Sequence, residues 1–151
     1  MNPPSQNDIV KTSLIQAGVN TVINGVINYF MVRGKDVHLI TADSITAGND
    51  TVIGHSIFGA MLLAVIFTLL GFNSQRRHLP GVTWGQVGRL AVKNAIYAFG
   101  LMVILGVLWQ KMFPNVSIGT IGAATVAGLI AGAVSGITHY STLSRLLEGV
   151  R

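Results

Sequence analysis

The sequence predicts an all-α integral membrane protein, one domain over residues 1–151, folded as a bundle of four transmembrane helices with both termini in the cytoplasm. Three observations predict this. Half of the 151 residues are hydrophobic and 10% are charged, where a soluble domain carries about 25% charged residues. The charges are confined, with none in 12–32, 51–75, 94–110 or 112–144. An apolar helix needs roughly 20 residues to cross a bilayer, and these windows, the third extended through Leu90, Ala91 and Val92, give spans at about 12–33, 52–73, 86–110 and 117–141. The spans occupy most of the chain and leave no room for a separate soluble core.

Span one opens after "MNPPSQNDIVK", which lacks the basic n-region, compact apolar segment and cleavage site of a signal peptide; the span is expected to be retained. It carries four side-chain amides, Gln16, Asn20, Asn24 and Asn28, each four residues after the last. Four-residue steps advance about 40° around a helix, so the ladder sweeps about 120° over about 18 Å. A bare carboxamide in hydrocarbon costs several kcal/mol. The ladder is therefore expected to face protein or water. Two uses fit. The amides bond across to other helices, at about 0.6–2 kcal/mol each, or they line a hydrated path, where a carboxamide offers donors and acceptors without fixed charge.

Loop one, "RGKDVHLITADSITAGND", is the longest connection. Its "VHLIT" run is β-branched and extended in character. Asp36, Asp43 and Asp50 recur seven residues apart; they are solvated loop carboxylates or, in the sharper reading, an acidic outer entrance that concentrates cations. Span two begins beside His55, an ionisable group at membrane depth and thus a functional candidate, read either as a neutral, hydrogen-bonded imidazole or as part of a gate or relay.

Loop two, "NSQRRHLPGVTWG", holds Arg76, Arg77 and a Pro80-Gly81 turn signal. Arg89 and Lys93 follow on span three, where long cationic side chains snorkel to lipid headgroups. Loop three is short, which predicts spans three and four to be antiparallel neighbours. Span four has two ridges of small residues: Ala124, Gly128, Gly132, Gly136, and Ala123, Ala127, Ala131, Ser135. Such ridges let helix backbones approach closely. Their partner is another span of the same chain or span four of a second copy.

Orientation follows from Lys and Arg. The N-tail, loop two and the C-tail share a side with Lys11, Arg76, Arg77, Arg89, Lys93, Arg145 and Arg151; the opposite side has Arg33, Lys35 and Lys111. That places the termini in the cytoplasm of an inner (plasma) membrane of bacterial type. The high isoelectric point is assigned to helix ends and anionic lipid, and no nucleic-acid partner is expected.

The chain has no cysteine, which excludes disulfides and thiolate chemistry. It has no HExxH, P-loop or dinucleotide fingerprint, and no carboxylate inside a span. No metal or cofactor is expected, and catalysis stays open only as a third reading, an enzyme or redox subunit using the histidines. The functional expectation is a homo-oligomeric channel or facilitator for an ion or small polar solute, with Gln16, Asn20, Asn24, Asn28 and His55 along the path. The alternative is a non-transporting structural, accessory or lipid-binding bundle.

Overall fold

The computed structural model describes residues 4–34, 38–39, 52–79, 81–112 and 117–148. It is all-helical apart from one short strand pair. Helix α1 runs Gln6–Val32, α2 Val52–Gln75, α3 Trp84–Met112 and α4 Thr120–Glu148; a 3-10 turn, Arg76–His78, follows α2. Strands β1 (His38–Leu39) and β2 (Ser117–Ile118) pair antiparallel, His38 opposite Ile118. The extended character of "VHLIT" appears as β1, which ties the first connection to the start of α4. Asp36, Asp43 and Asp50 lie outside the described residues, as does the side chain of His55.

Each helix start has a local cause. Ser5 caps α1 through a capping box, accepting from the Asp8 N–H at 3.2 Å while its own N–H donates to Asp8 Oδ2 at 3.0 Å. Gly34, at φ +90°, follows the last turn of α1 in the left-handed region that glycine adopts most cheaply. Thr83 and Gln86 form the equivalent box at α3, the Thr83 N–H donating to Gln86 Oε1 at 2.8 Å.

Among the described residues, three helical stretches are long and apolar enough to cross a membrane: Val52–His78, Trp84–Met112 and Thr120–Leu147. Helix α1 has the length, 27 residues, but not the apolarity, because the four amides lower its mean hydropathy. The outer surface is nevertheless apolar along every helix. Leu14, Val22, Phe30, Phe58, Ile104 and Ile121 are all more than half exposed, a surface that water does not favour over so wide an area.

Helix α4 organises the packing. It lies along α1 through the most extensive contact in the fold, α2 packs against α4, and α3 packs against α2. The expected close pairing of α3 with α4 does not occur. They are joined by a short connection, but both good faces of α4 are already covered. The Gly128–Gly132–Gly136 ridge lies on α1, while Ala123 and Ala127 pack with Val52 of α2.

The α1–α4 contact is set by the glycines. A Cβ at Gly128 would stand 2.6 Å from the Thr21 carbonyl oxygen, one at Gly132 2.8 Å from the Ala17 carbonyl oxygen and on top of the Thr21 hydroxyl, and one at Gly136 2.9 Å from Ala17 Cβ. Ser13, Ala17, Thr21 and Gly25 of α1 form the matching ridge. As the partner numbers fall along α1 they rise along α4, so the two helices run antiparallel. This ridge is occupied within the chain and is not available for pairing span four with a second copy.

Gly132→Val should therefore undock α1, with a loss of about 1–3 kcal/mol or more read as thermal unfolding in detergent. Gly88→Ala, with nothing within 4 Å of the new methyl, should leave stability unchanged or slightly raised. At the start of α1, hydrogen bonds from the Ser5 hydroxyl and then the Ser5 N–H, aided by Lys11, hold the Asp8 carboxyl below its ordinary value. A lowered acid pKa stabilises the fold above the unfolded value and ceases to do so as pH falls through the lowered one. The first turn of α1 should then fray only under strongly acidic conditions, and Ser5→Ala should raise the Asp8 titration point measured by NMR.

Candidate functional site

The amide ladder lies beside the small ridge of α1, one residue before Ala17, Thr21 and Gly25. This neighbouring position carries it along the edge of the α1–α4 contact. Asn20 is buried, while Gln16, Asn24 and Asn28 are half-buried. Each asparagine donates from Nδ2 to the backbone carbonyl four residues earlier: Asn20 to Gln16 at 2.9 Å, Asn24 to Asn20 at 3.1 Å, Asn28 to Asn24 at 2.9 Å. The asparagines have a partner that the sequence reading did not count. Their own backbone supplies one, just as it does for Thr21, Ser56 and Thr68, which donate to the i−4 carbonyl at 3.0, 2.7 and 2.7 Å. A carbonyl accepts only a donor, so this bond orients the amide: Nδ2 is turned to the helix and Oδ1 away from that carbonyl.

Asn24 and Asn28 line a small cleft with Ser56, Gly59 and Ala60 of α2 and Ala127 and Ala131 of α4. Its volume is about 60 Å³, room for a few waters at roughly 10–15 Å³ of free space each. Gln16 and Asn20 do not line it, so this cleft does not join the four amides.

The sequence did not bring the members of a second polar group together. Near the other end of the bundle, Ser13 Oγ and His139 Nδ1 share a 3.0 Å hydrogen bond between α1 and α4. Asn94 of α3 donates from Nδ2 to Thr68 Oγ1 of α2 at 2.9 Å and to Thr142 Oγ1 of α4 at 3.1 Å. All five side chains are buried. Histidine 139 reads from the sequence as a membrane-interface residue; the structure places it inside the helix contact instead, because glycine and alanine on both ridges bring α1 close enough for Ser13 to reach it. A serine beside a histidine is also the beginning of a nucleophile–base pair. Here both are at most 5% exposed, so the hydroxyl is not presented to a substrate and the pair serves as an interhelical bond. Among the described residues every buried side-chain nitrogen and oxygen has a partner, and no three His, Asp or Glu come together as metal ligands.

Most of the described basic residues gather at the end of the bundle that carries the α2–α3 turn, with Arg33 and Lys111 at the other. Arg76, Arg77, Arg89 and Lys93 are exposed. The Arg76 guanidinium stands 5.8 Å from the Trp84 ring, which meets Phe72 edge-to-face at 4.9 Å. The Lys93 ammonium lies 5.8 Å from the Tyr97 ring. Both cations thus rest on aromatic faces at the rim.

The small ridge of α1 was legible in the same stretch as the ladder, since Ser13, Ala17, Thr21 and Gly25 also recur every four residues. The buried network was not, because its members lie 26 to 126 positions apart. Asn94→Leu removes two interhelical bonds and should cost about 1 kcal/mol or more, at roughly 0.6 kcal/mol or more for each, measured by unfolding in detergent; no loss would show that the network is not a structural bond set.

No protein-family model, curated protein or solved structure matches the chain.

Proposed function

We propose that the chain is an integral protein of an inner (plasma) membrane, with four crossings and both termini cytoplasmic, and that it assembles as a homo-oligomer acting as a channel or facilitator for an ion or small polar solute. The carrying observation is the cleft lined by Asn24, Asn28 and Ser56. The bundle is held by small-residue contact, and the hydrogen bonds of the asparagines stay within α1. The asparagine side chains are thus not spanning between helices, and a row of them on one helix calls for another use. With one donor tied to the backbone, each asparagine has its oxygen left to meet a cation or a donor-bearing solute. Loop-one Asp36, Asp43 and Asp50, with His55, would shape the outer entrance, and Arg76, Arg77, Arg89 and Lys93 would hold the inner rim to anionic lipid.

Seven Lys and Arg on the side of the N-tail, loop two and C-tail against three on the other support the orientation. The hydrogen bond from Gln6 Nε2 to Tyr140 OH, 3.4 Å, draws the start of α1 and the end of α4 to one side. The cleft is too small to be a through-path in one chain, so further copies would have to complete it.

A second reading, a non-transporting structural, accessory or lipid-binding bundle, is favoured by the self-bonded amides, which tolerate hydrocarbon without needing a solute. Flux separates the two. In vesicles reconstituted with the wild-type protein, Asn24→Leu should lower passage of the permeant ion or solute by on the order of tenfold, the equivalent of about 1.4 kcal/mol, with assembly unchanged. Unaltered flux in a correctly assembled variant removes the ladder from the mechanism. Wild-type vesicles that pass nothing across a panel of cations, anions and small solutes leave the second reading.

A further inference from the structure

Helices α3 and α4 face each other across a slot. Helix α2 packs on both, while α3 and α4 scarcely touch. The half of the slot nearer the chain's C-terminus is a cleft of about 230 Å³, walled by Tyr97 and Leu101 of α3 and by Val134, Ile137, Ser141 and Arg145 of α4. The other half, about 390 Å³, lies between residues such as Leu105 and Trp109 of α3 and Val126 and Ile130 of α4. The two halves differ in charge. Arg145 lines the first, and Lys93 stands beside its Tyr97 wall; the residues lining the second are uncharged.

Cations at one end and hydrocarbon walls beyond them match an anionic amphiphile. The dimensions agree. From Arg145 to Val134 is about 16 Å of helix, half of a hydrocarbon core of about 30 Å, which is the depth of one leaflet. The local donors favour the head on arginine. The Ser141 hydroxyl donates to the Thr138 carbonyl at 3.2 Å, and the Asn94 amide donates to Thr68 and Thr142. The guanidinium is the planar, bidentate donor at this mouth that suits a phosphate.

We propose that this cleft holds one anionic phospholipid from the leaflet on the Arg145 side, with its phosphate on Arg145 and Lys93 and one acyl chain lying between α3 and α4. The assignment rests on the membrane placement proposed above and is independent of transport.

The test uses the full chain purified in mild detergent. Phosphatidylglycerol and, separately, phosphatidylcholine are titrated in, and lipid retained per chain is read by native mass spectrometry. Phosphatidylglycerol should be retained in preference to phosphatidylcholine. Arg145 is exposed, and Arg145→Gln should weaken phosphatidylglycerol retention by about fivefold or more, the worth of one basic side chain against an anionic surface. Lys111→Gln, exposed at the opposite end of α3 and outside the cleft, should leave it unchanged. Ile137→Trp should displace the lipid by filling the cleft without removing a charge. Equal retention of the two lipids, or unchanged retention in Arg145→Gln, overturns the proposal. Competition by inorganic phosphate at the same concentration as the lipid overturns it as well, as does a change of oligomer mass in Ile137→Trp without a change in lipid, which assigns the slot to a second copy. Retention in detergent does not register flux, so failure of the channel reading and failure of this site give different results.

Discussion

The close approach of α1 to α4 governs most of what the chain can do. At Gly132 there is no space for a single methyl group, since the Ala17 carbonyl and the Thr21 hydroxyl occupy it. Contact at this distance replaces the hydrophobic force, which does not distinguish a helix from a lipid tail inside a bilayer, by dispersion and Cα–H···O contacts between backbones. Several features follow from it. Ser13 reaches His139, the amide ladder is carried along the rim of the contact, and Asn24 and Asn28 come to face α2. With one ridge of α4 given to α1 and the other to α2, α3 is left with α2 as its main support, and the slot beside α4 stays open.

Polar side chains within the bundle are satisfied in two ways, by their own helix backbone throughout and by bonds between helices toward the α2–α3 turn. In the part of the bundle nearer β1 and β2, Asn24, Asn28 and Ser56 each donate to the carbonyl four residues back. These bonds cost the helix little and tie nothing to anything else, so the side chains keep an unengaged oxygen for another partner. Toward the α2–α3 turn, Ser13, Asn94, Thr142 and His139 bond between helices, and the apolar cluster of Phe72, Leu79, Val87 and Leu143 surrounds that end. One end is cross-linked by hydrogen bonds and packed with large side chains, whereas the other is lined by small residues around a polar notch. Among the described residues, the interhelical side-chain hydrogen bonds lie toward the first end, and the polar side chains at the second bond within their own helices.

Much of this was legible in the sequence, for identifiable reasons. Helices α2, α3 and α4 are charge-free over long apolar stretches, a pattern that water-soluble folds do not use. The glycine ridge of α4 is a local period of four, which any alignment of the segment on a helix reveals. What was not legible is which helix each face meets. Short connection length pointed to an α3–α4 pair; the structure pairs α4 with α1 and α2, because interlocking small residues outweigh proximity along the chain. The ladder misled in a different way. Period and polarity say that Gln16, Asn20, Asn24 and Asn28 need shelter, but not that an asparagine reaches its own i−4 carbonyl and so meets half of that need itself. The bonds of Asn94 and His139 depend on the positions of three helices at once and have no local signature.

Helix α1 is the least apolar of the four and also the one with the most specific partner, and the two properties are connected. A segment with four amides partitions weakly on hydropathy alone. Self-bonding of the asparagines lowers the cost of placing it in hydrocarbon, and the ridge of Ser13, Ala17, Thr21 and Gly25 supplies a contact that only a matching glycine face can satisfy. In the four-crossing reading, α1 therefore gains its position from α4, although α4 is the last helix in the chain. A helix held by one interface and otherwise ringed by Leu14, Ile15, Val22, Ile23 and Phe30 keeps its polar edge fixed relative to α2 while its outer face remains open to lipid or to another copy. That arrangement places Asn24 and Asn28 at the edge of the α1–α4 contact, in the small cleft they share with Ser56 of α2.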